Sequence, residues 1–106
     1  MTGGVEIDVD RIAAAVLARP HVTGLHGGRF GEIATYLPGR RVHGVRIRFD
    51  EITVGVVGRY PATVREISDD VRTVVAALPG VGGRAVHVHV ADLIIHTHGS
   101  AEGIKP

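Results

Sequence analysis

The chain of 106 residues has no cysteine and no tryptophan. Disulfides, thiolate metal sites and thiol nucleophiles are therefore excluded. Asparagine and glutamine are also absent, and Lys105 is the single lysine beside eleven arginines, a bias that points to a GC-rich genome. Aromatic residues are few, with two Phe and two Tyr, so stacking platforms for nucleic-acid bases are scarce. Neither sign of charge dominates: Lys and Arg number 12 against 11 Asp and Glu, for a net charge of +1. Such a balance gives no general pull on a polyanion. No apolar run approaches the ~18 residues that a membrane span needs. The acidic N-terminal stretch also lacks the basic region of a signal peptide, so a soluble cytoplasmic protein is expected.

Catalytic groups are equally sparse. Only Ser68 and Ser100 are available as serines; the first falls within a helical pattern, the second in a Gly-containing tail, and neither has a nucleophile-elbow context. No Gly-Lys-Ser/Thr or G-x-G-x-x-G follows a strand into a helix, so neither phosphate-loop fingerprint is present. Asp69 and Asp70 adjoin on a helix and point about 100 degrees apart, which suits solvation better than paired acid-base work. No enzyme and no cofactor is expected.

What is present is a clear alternation of element types. Ile52, Val54 and Val56 alternate with Thr53, Gly55 and Val57, the period of a strand with one buried face. Tyr60-Pro61 interrupts that ladder, since proline donates no N–H. Thr63-Val64-Arg65-Glu66 matches a capping box. Val64, Ile67, Val71, Val74, Val75 and Leu78 then recur at offsets of three and four, forming one stripe on a helix of about four turns. Its burial is worth on the order of 10 kcal/mol gross. The opposite face carries Arg65, Glu66, Asp69, Asp70 and Arg72, a solvated charged surface. Pro79-Gly80 ends the helix, and Val81-Gly82-Gly83 turns into a strand with Val86, Val88 and Val90 on one face and His87 and His89 on the other.

The front half repeats this logic. Asp8 caps a helix through Ile12, Ala13, Val16 and Leu17, with Pro20 closing it. A Gly-rich segment, His26 to Gly31, leads to a strand from Glu32 to Leu37, and Pro38-Gly39 is a turn. The strand from Val42 to Phe49 places His43, Val45, Ile47 and Phe49 on one face and Val42, Gly44, Arg46 and Arg48 on the other. Asp50-Glu51 joins it to the strand at Ile52 as a hairpin. The expected fold is a small two-layer α+β domain over residues 1–95, with two helices on a three- to four-stranded sheet. Residues 96–106 are expected to form a flexible tail.

This arrangement resembles the alkaline shock protein 23 family of envelope stress response proteins. The resemblance rests on Ala18-Arg19-Pro20-His21-Val22 as the turn ending the first helix, on Pro61-Ala62-Thr63-Val64 as the second helix start, and on Val86-His87-Val88-His89-Val90-Ala91-Asp92-Leu93 as the closing strand. It runs from Val5 to Leu93, with His21 standing where the family usually has glycine. The resemblance implies a non-enzymatic scaffold near the cytoplasmic face of the membrane, held by a small membrane-anchored partner and linked to envelope homeostasis. It brings no catalytic residues.

Other readings stand beside it. His87-x-His89 and His96-x-His98 are metal-ligand candidates, because alternate residues on a strand can aim two imidazoles at one ion; the plainer reading is exposed imidazoles on the solvent face of an antiparallel strand. Arg40, Arg41, Arg46 and Arg48, with Arg59, would make a basic face, and Gly28-Arg29-Phe30-Gly31 has the form of a GXXG loop. Nucleic acid is a possible partner, although a solvated sheet face is favoured. Seven histidines would carry the net charge from +1 to +8 on full protonation, which makes a pH sensor conceivable. Unpaired strand edges near Val42 or Val86 favour self-association, with Val42 and Val57 facing outward. Arg46, Arg48, His87 and His89 are the expected surface contacts.

Overall fold

The computed structural model describes residues 7–95. Helix α1 (Val9–Leu17) begins where predicted: Asp8 is extended and its carboxylate accepts the N–H groups of Asp10 and Arg11 at 3.0 and 3.2 Å. Val9, Ile12 and Val16 face the core, whereas Leu17, expected in the stripe, is 48% exposed. Five short to long strands follow: β1 (Val22–Leu25), β2 (Ala34–Leu37), β3 (Arg40–His43), β4 (Val45–Ile47) and β5 (Glu51–Tyr60). Helix α2 (Val64–Ala76) and strand β6 (Ala85–Ile95) complete the described chain. The fold is α+β, with two helices and a mostly antiparallel set of strands.

The capping box of α2 is formed in full. The Thr63 hydroxyl accepts the Glu66 N–H at 3.1 Å, and the Glu66 carboxylate accepts the Thr63 N–H at 2.8 Å. Replacing Thr63 with alanine is expected to cost about 1 kcal/mol, read as a lower urea midpoint at constant slope. Within the stripe only Ile67, Val71 and Val75 are fully buried. Val64 is 49% exposed, so the helix contributes nearer to 7 kcal/mol of gross burial than the expected ten. The Arg19 guanidinium clamps the Asp70 carboxylate through two bonds of 2.7 and 2.9 Å, tying the end of α1 to the middle of α2.

Strand β5 is the axis of the sheet. On one side it pairs with β6; the other side is shared end to end by β4, opposite Ile52–Val54, and β1, opposite Val56–Gly58. The β4–β5 hairpin is antiparallel as expected. β6 is not: it runs parallel to β5, because α2 returns the chain to the starting end and makes a βαβ unit. β5 is buried on both faces from Ile52 to Val56, not on one: the helices cover one face, and the His26 backbone and Ile33 close on the other at Gly55.

The largest departure from the sequence reading is the Val42–Phe49 strand. Gly44 adopts φ +93, a conformation that breaks the ladder and reverses the alternation. Val42 and Val45 are consequently both buried, at 8% and 0% exposure, so Val42 does not face outward. β3 leaves the main sheet to form a two-stranded ribbon with β2, which starts at Ala34, two residues later than expected. His43 is exposed on the ribbon, and Phe49 lies beyond β4 at 88% exposure.

The core is a cluster of Val and Ile: Ile12 and Val16 from α1, Val45, Ile52, Val54 and Val56 from the sheet, and Ile67, Val71 and Val75 from α2. No aromatic ring contributes. Phe30, Tyr36, Phe49 and Tyr60 are all more than half exposed.

Candidate functional site

The helices cover one face of the sheet, and the polar residues collect on the other. Register places Arg46 of β4, Thr53 of β5 and His87 of β6 in one row across that face, with His89 beside Gly55 in the next. Alternation alone produces this set, since the intervening residues point to the helices. The Glu51 carboxylate lies 3.1 Å from His87 Nε2 and 4.0 Å from an Arg46 nitrogen. Arg46 also reaches the Thr53 hydroxyl at 3.4 Å, and its buried Nε has no partner among the described residues.

A groove borders this row. The β1–β2 loop forms one wall and β6 the other of an open groove of about 480 Å³, lined by His26, Gly28, Arg29, His89 and Ala91. The register shift between Val56 and Val57 leaves Ala91 as the unpaired residue of a bulge, which sets it against the groove. The His26 and His89 rings stand 6.4 Å apart, tilted by 56°. His26 Nδ1 accepts the Gly28 N–H at 3.0 Å. The Glu32 carboxyl is held below its usual range, first by its own backbone N–H and then by that of Phe30, with Arg46 and His89 adding smaller attractions. This groove was not legible in the sequence, because it joins residues more than sixty positions apart.

The four expected contact residues divide. Arg48, His87 and His89 are exposed, while Arg46 is half-buried and engaged within the sheet. His96 and His98 lie outside the described residues. Among the described residues no group of three or more potential ligands is placed to hold a metal ion.

The expected basic face is dispersed by its own partners. Arg40 makes a two-bonded pair with Asp10 at 2.6 and 3.0 Å, which depresses the Asp10 carboxyl chiefly through that hydrogen bond. Arg59 donates to the Pro20 carbonyl at 3.0 Å. Arg41 lies over the Tyr36 ring on the separate ribbon. The Gly28–Gly31 segment connects two strands and not two helices, with Arg29 and Phe30 exposed.

A second feature lies at the outer edge of β6. This eleven-residue strand pairs with β5 on one side, and no other strand of the described residues pairs with it. Its end is apolar: Ile94 and Ile95 are 40% and 65% exposed, and Ile95 sits opposite Tyr60, itself 56% exposed. No helix of the described residues is long and apolar enough to cross a membrane.

These features define a small α+β domain with a helix-covered face, a polar face and, at β6, a long strand edge that no other strand of the described residues pairs with. Compared with protein-family models, curated proteins and solved structures, the chain matches none.

Proposed function

We propose that this chain is a non-catalytic interaction module, a scaffold of the cell envelope that works at the cytoplasmic side of the membrane through a small membrane-anchored partner. The observation that supports this reading most is the open edge of β6, with Tyr60, Ile94 and Ile95 exposed beside it. An unpaired edge carries a row of N–H and C=O groups that bind an added strand, and neighbouring side chains select which strand. Exposed apolar residues at such an edge invite association in preference to blocking it. The likeness of its helix turns and closing strand to alkaline shock protein 23 members supplies the envelope setting. The same edge accommodates a second copy of the chain.

The test is a crosslinked affinity purification of the tagged chain from its native host, run with the wild type and with an Ile94→Lys, Ile95→Lys variant. Both residues are exposed, so the substitutions leave the core intact, while lysine on an edge opposes strand addition. Enrichment of a small membrane-anchored protein, insensitive to nuclease and lost in the variant, is the expected result. Recovery dominated by RNA or DNA would overturn the reading, and so would an unchanged protein profile in the variant.

A further inference from the structure

The groove between β6 and the β1–β2 loop brings three side chains with hydrogen-bond donors, His26, Arg29 and His89, to a lining completed by Gly28 and Ala91. His26 spends its Nδ1 lone pair on the Gly28 N–H, so its neutral ring carries the proton on Nε2. Arg29 adds a fixed positive charge and a fork of N–H groups, and His89 stands across the gap. The Glu32 carboxylate stands against Gly28 at the rim of the groove, with its Oε1 accepting the Phe30 N–H at 2.9 Å. Arg46 and His89 both lie close enough to Glu32 to favour its charge, so the carboxylate is neutralised in part by the cationic side of the groove.

The spacing of the two imidazoles discriminates between kinds of ligand. In a tetrahedral zinc site, Zn–N bonds of about 2.0–2.1 Å bring two ring centroids to roughly 5 Å. One oxyanion oxygen accepting N–H bonds of about 2.8 Å from both rings sets them at roughly 6–7 Å. The observed 6.4 Å suits the oxygen. The volume of about 480 Å³ far exceeds one such group and falls in the range of small-molecule sites.

We propose that this groove binds a small phosphate ester, with His26, His89 and Arg29 holding the phosphoryl oxygens and the ester's organic part lying along Ala91. The site is independent of the β6 edge, so neither proposal falls with the other.

The experiment is heteronuclear NMR of the full chain titrated with phenyl phosphate, inorganic phosphate and benzoate. Phenyl phosphate is expected to give saturable shifts at His26, Gly28 and His89, with a Kd on the order of 1 mM or tighter. Arg29→Ala and His89→Ala should each weaken binding by about fivefold or more. Both residues are exposed, and the amide spectrum verifies that the variants remain folded. Arg65→Ala, on the distant face of α2, should leave the titration unchanged. Cosedimentation with vesicles containing phosphatidic acid, but not with phosphatidylcholine alone, would assign the phosphoryl group to a lipid headgroup if it required Arg29. Phenyl phosphate binding without cosedimentation would assign it to a soluble ester. Absence of saturation up to about 10 mM, equal shifts with benzoate, or undiminished binding in both groove variants would overturn the proposal.

Discussion

Gly55→Ala is expected to leave this chain largely unfolded, with a loss of about 4 kcal/mol or more. Gly55 sits in the middle of β5, at the point where β1 gives way to β4 along its edge. Its carbonyl accepts the His26 N–H at 2.8 Å, and its own N–H donates to the Gly44 carbonyl at 2.9 Å. A Cβ here would drive into the His26 carbonyl oxygen and lie 3.1 Å from both the His26 carbonyl carbon and Ile33 Cδ1. The obstacle is backbone, so no rotamer change relieves it. Moving His26 away breaks buried hydrogen bonds at about 1–3 kcal/mol each, and overpacking adds about 1–3 more. Small domains hold only about 5–15 kcal/mol in total. Gly44→Ala should behave similarly, because φ +93 strains any residue with a Cβ and the new atom would meet Leu25 Cβ at 2.6 Å. Circular dichroism in urea measures both. A cooperative transition at the wild-type midpoint would show that the β1–β4 junction yields more easily than its geometry implies.

The second large effect is a non-additive one between α2 and the sheet. A Cβ at Gly58 would overlap Ile67 Cδ1 and lie 3.0 Å from Leu93 Cδ2. Here the obstacle is the end of a side chain. Gly58→Ala alone should cost about 2–3 kcal/mol, and Ile67→Val alone about 1 kcal/mol for the lost methyl. Together they should cost about 1–2 kcal/mol less than their sum, because the methyl removed from Ile67 vacates the space that the alanine enters. Urea unfolding of the four proteins closes the cycle. Strict additivity would mean that α2 rides over Gly58 without touching it closely.

How much of this was legible depended on the range of the forces involved. Both helix starts were readable because capping is local: Asp8 and Thr63 each satisfy N–H groups two or three residues ahead. The β4–β5 hairpin was readable for the same reason. The Val42–Phe49 strand misled because its alternation is good on both sides of Gly44, and nothing in the pattern shows that one residue turns to positive φ and exchanges the faces. The four-residue β1, with a glycine inside it, carries too weak a period to stand out from the Gly-rich run beside it. The direction of β6 follows from where α2 delivers the chain, a tertiary matter. Of the expected contacts, His87 and His89 reach the surface because strand alternation is local and Arg48 because it lies in the turn beyond β4, whereas the pairing of Arg40 with Asp10 spans thirty residues and invisibly removes a charge from the basic face.

The all-aliphatic core has a spectroscopic consequence. With every phenyl and phenol ring outside the packed interior, the near-ultraviolet signals of this chain report on its periphery. Melting the valine and isoleucine cluster changes the surroundings of those chromophores little, while covering Tyr60 or Tyr36 with another molecule changes them directly. Tyrosine emission is thus a poor gauge of folding in this protein and a sensitive one of contact.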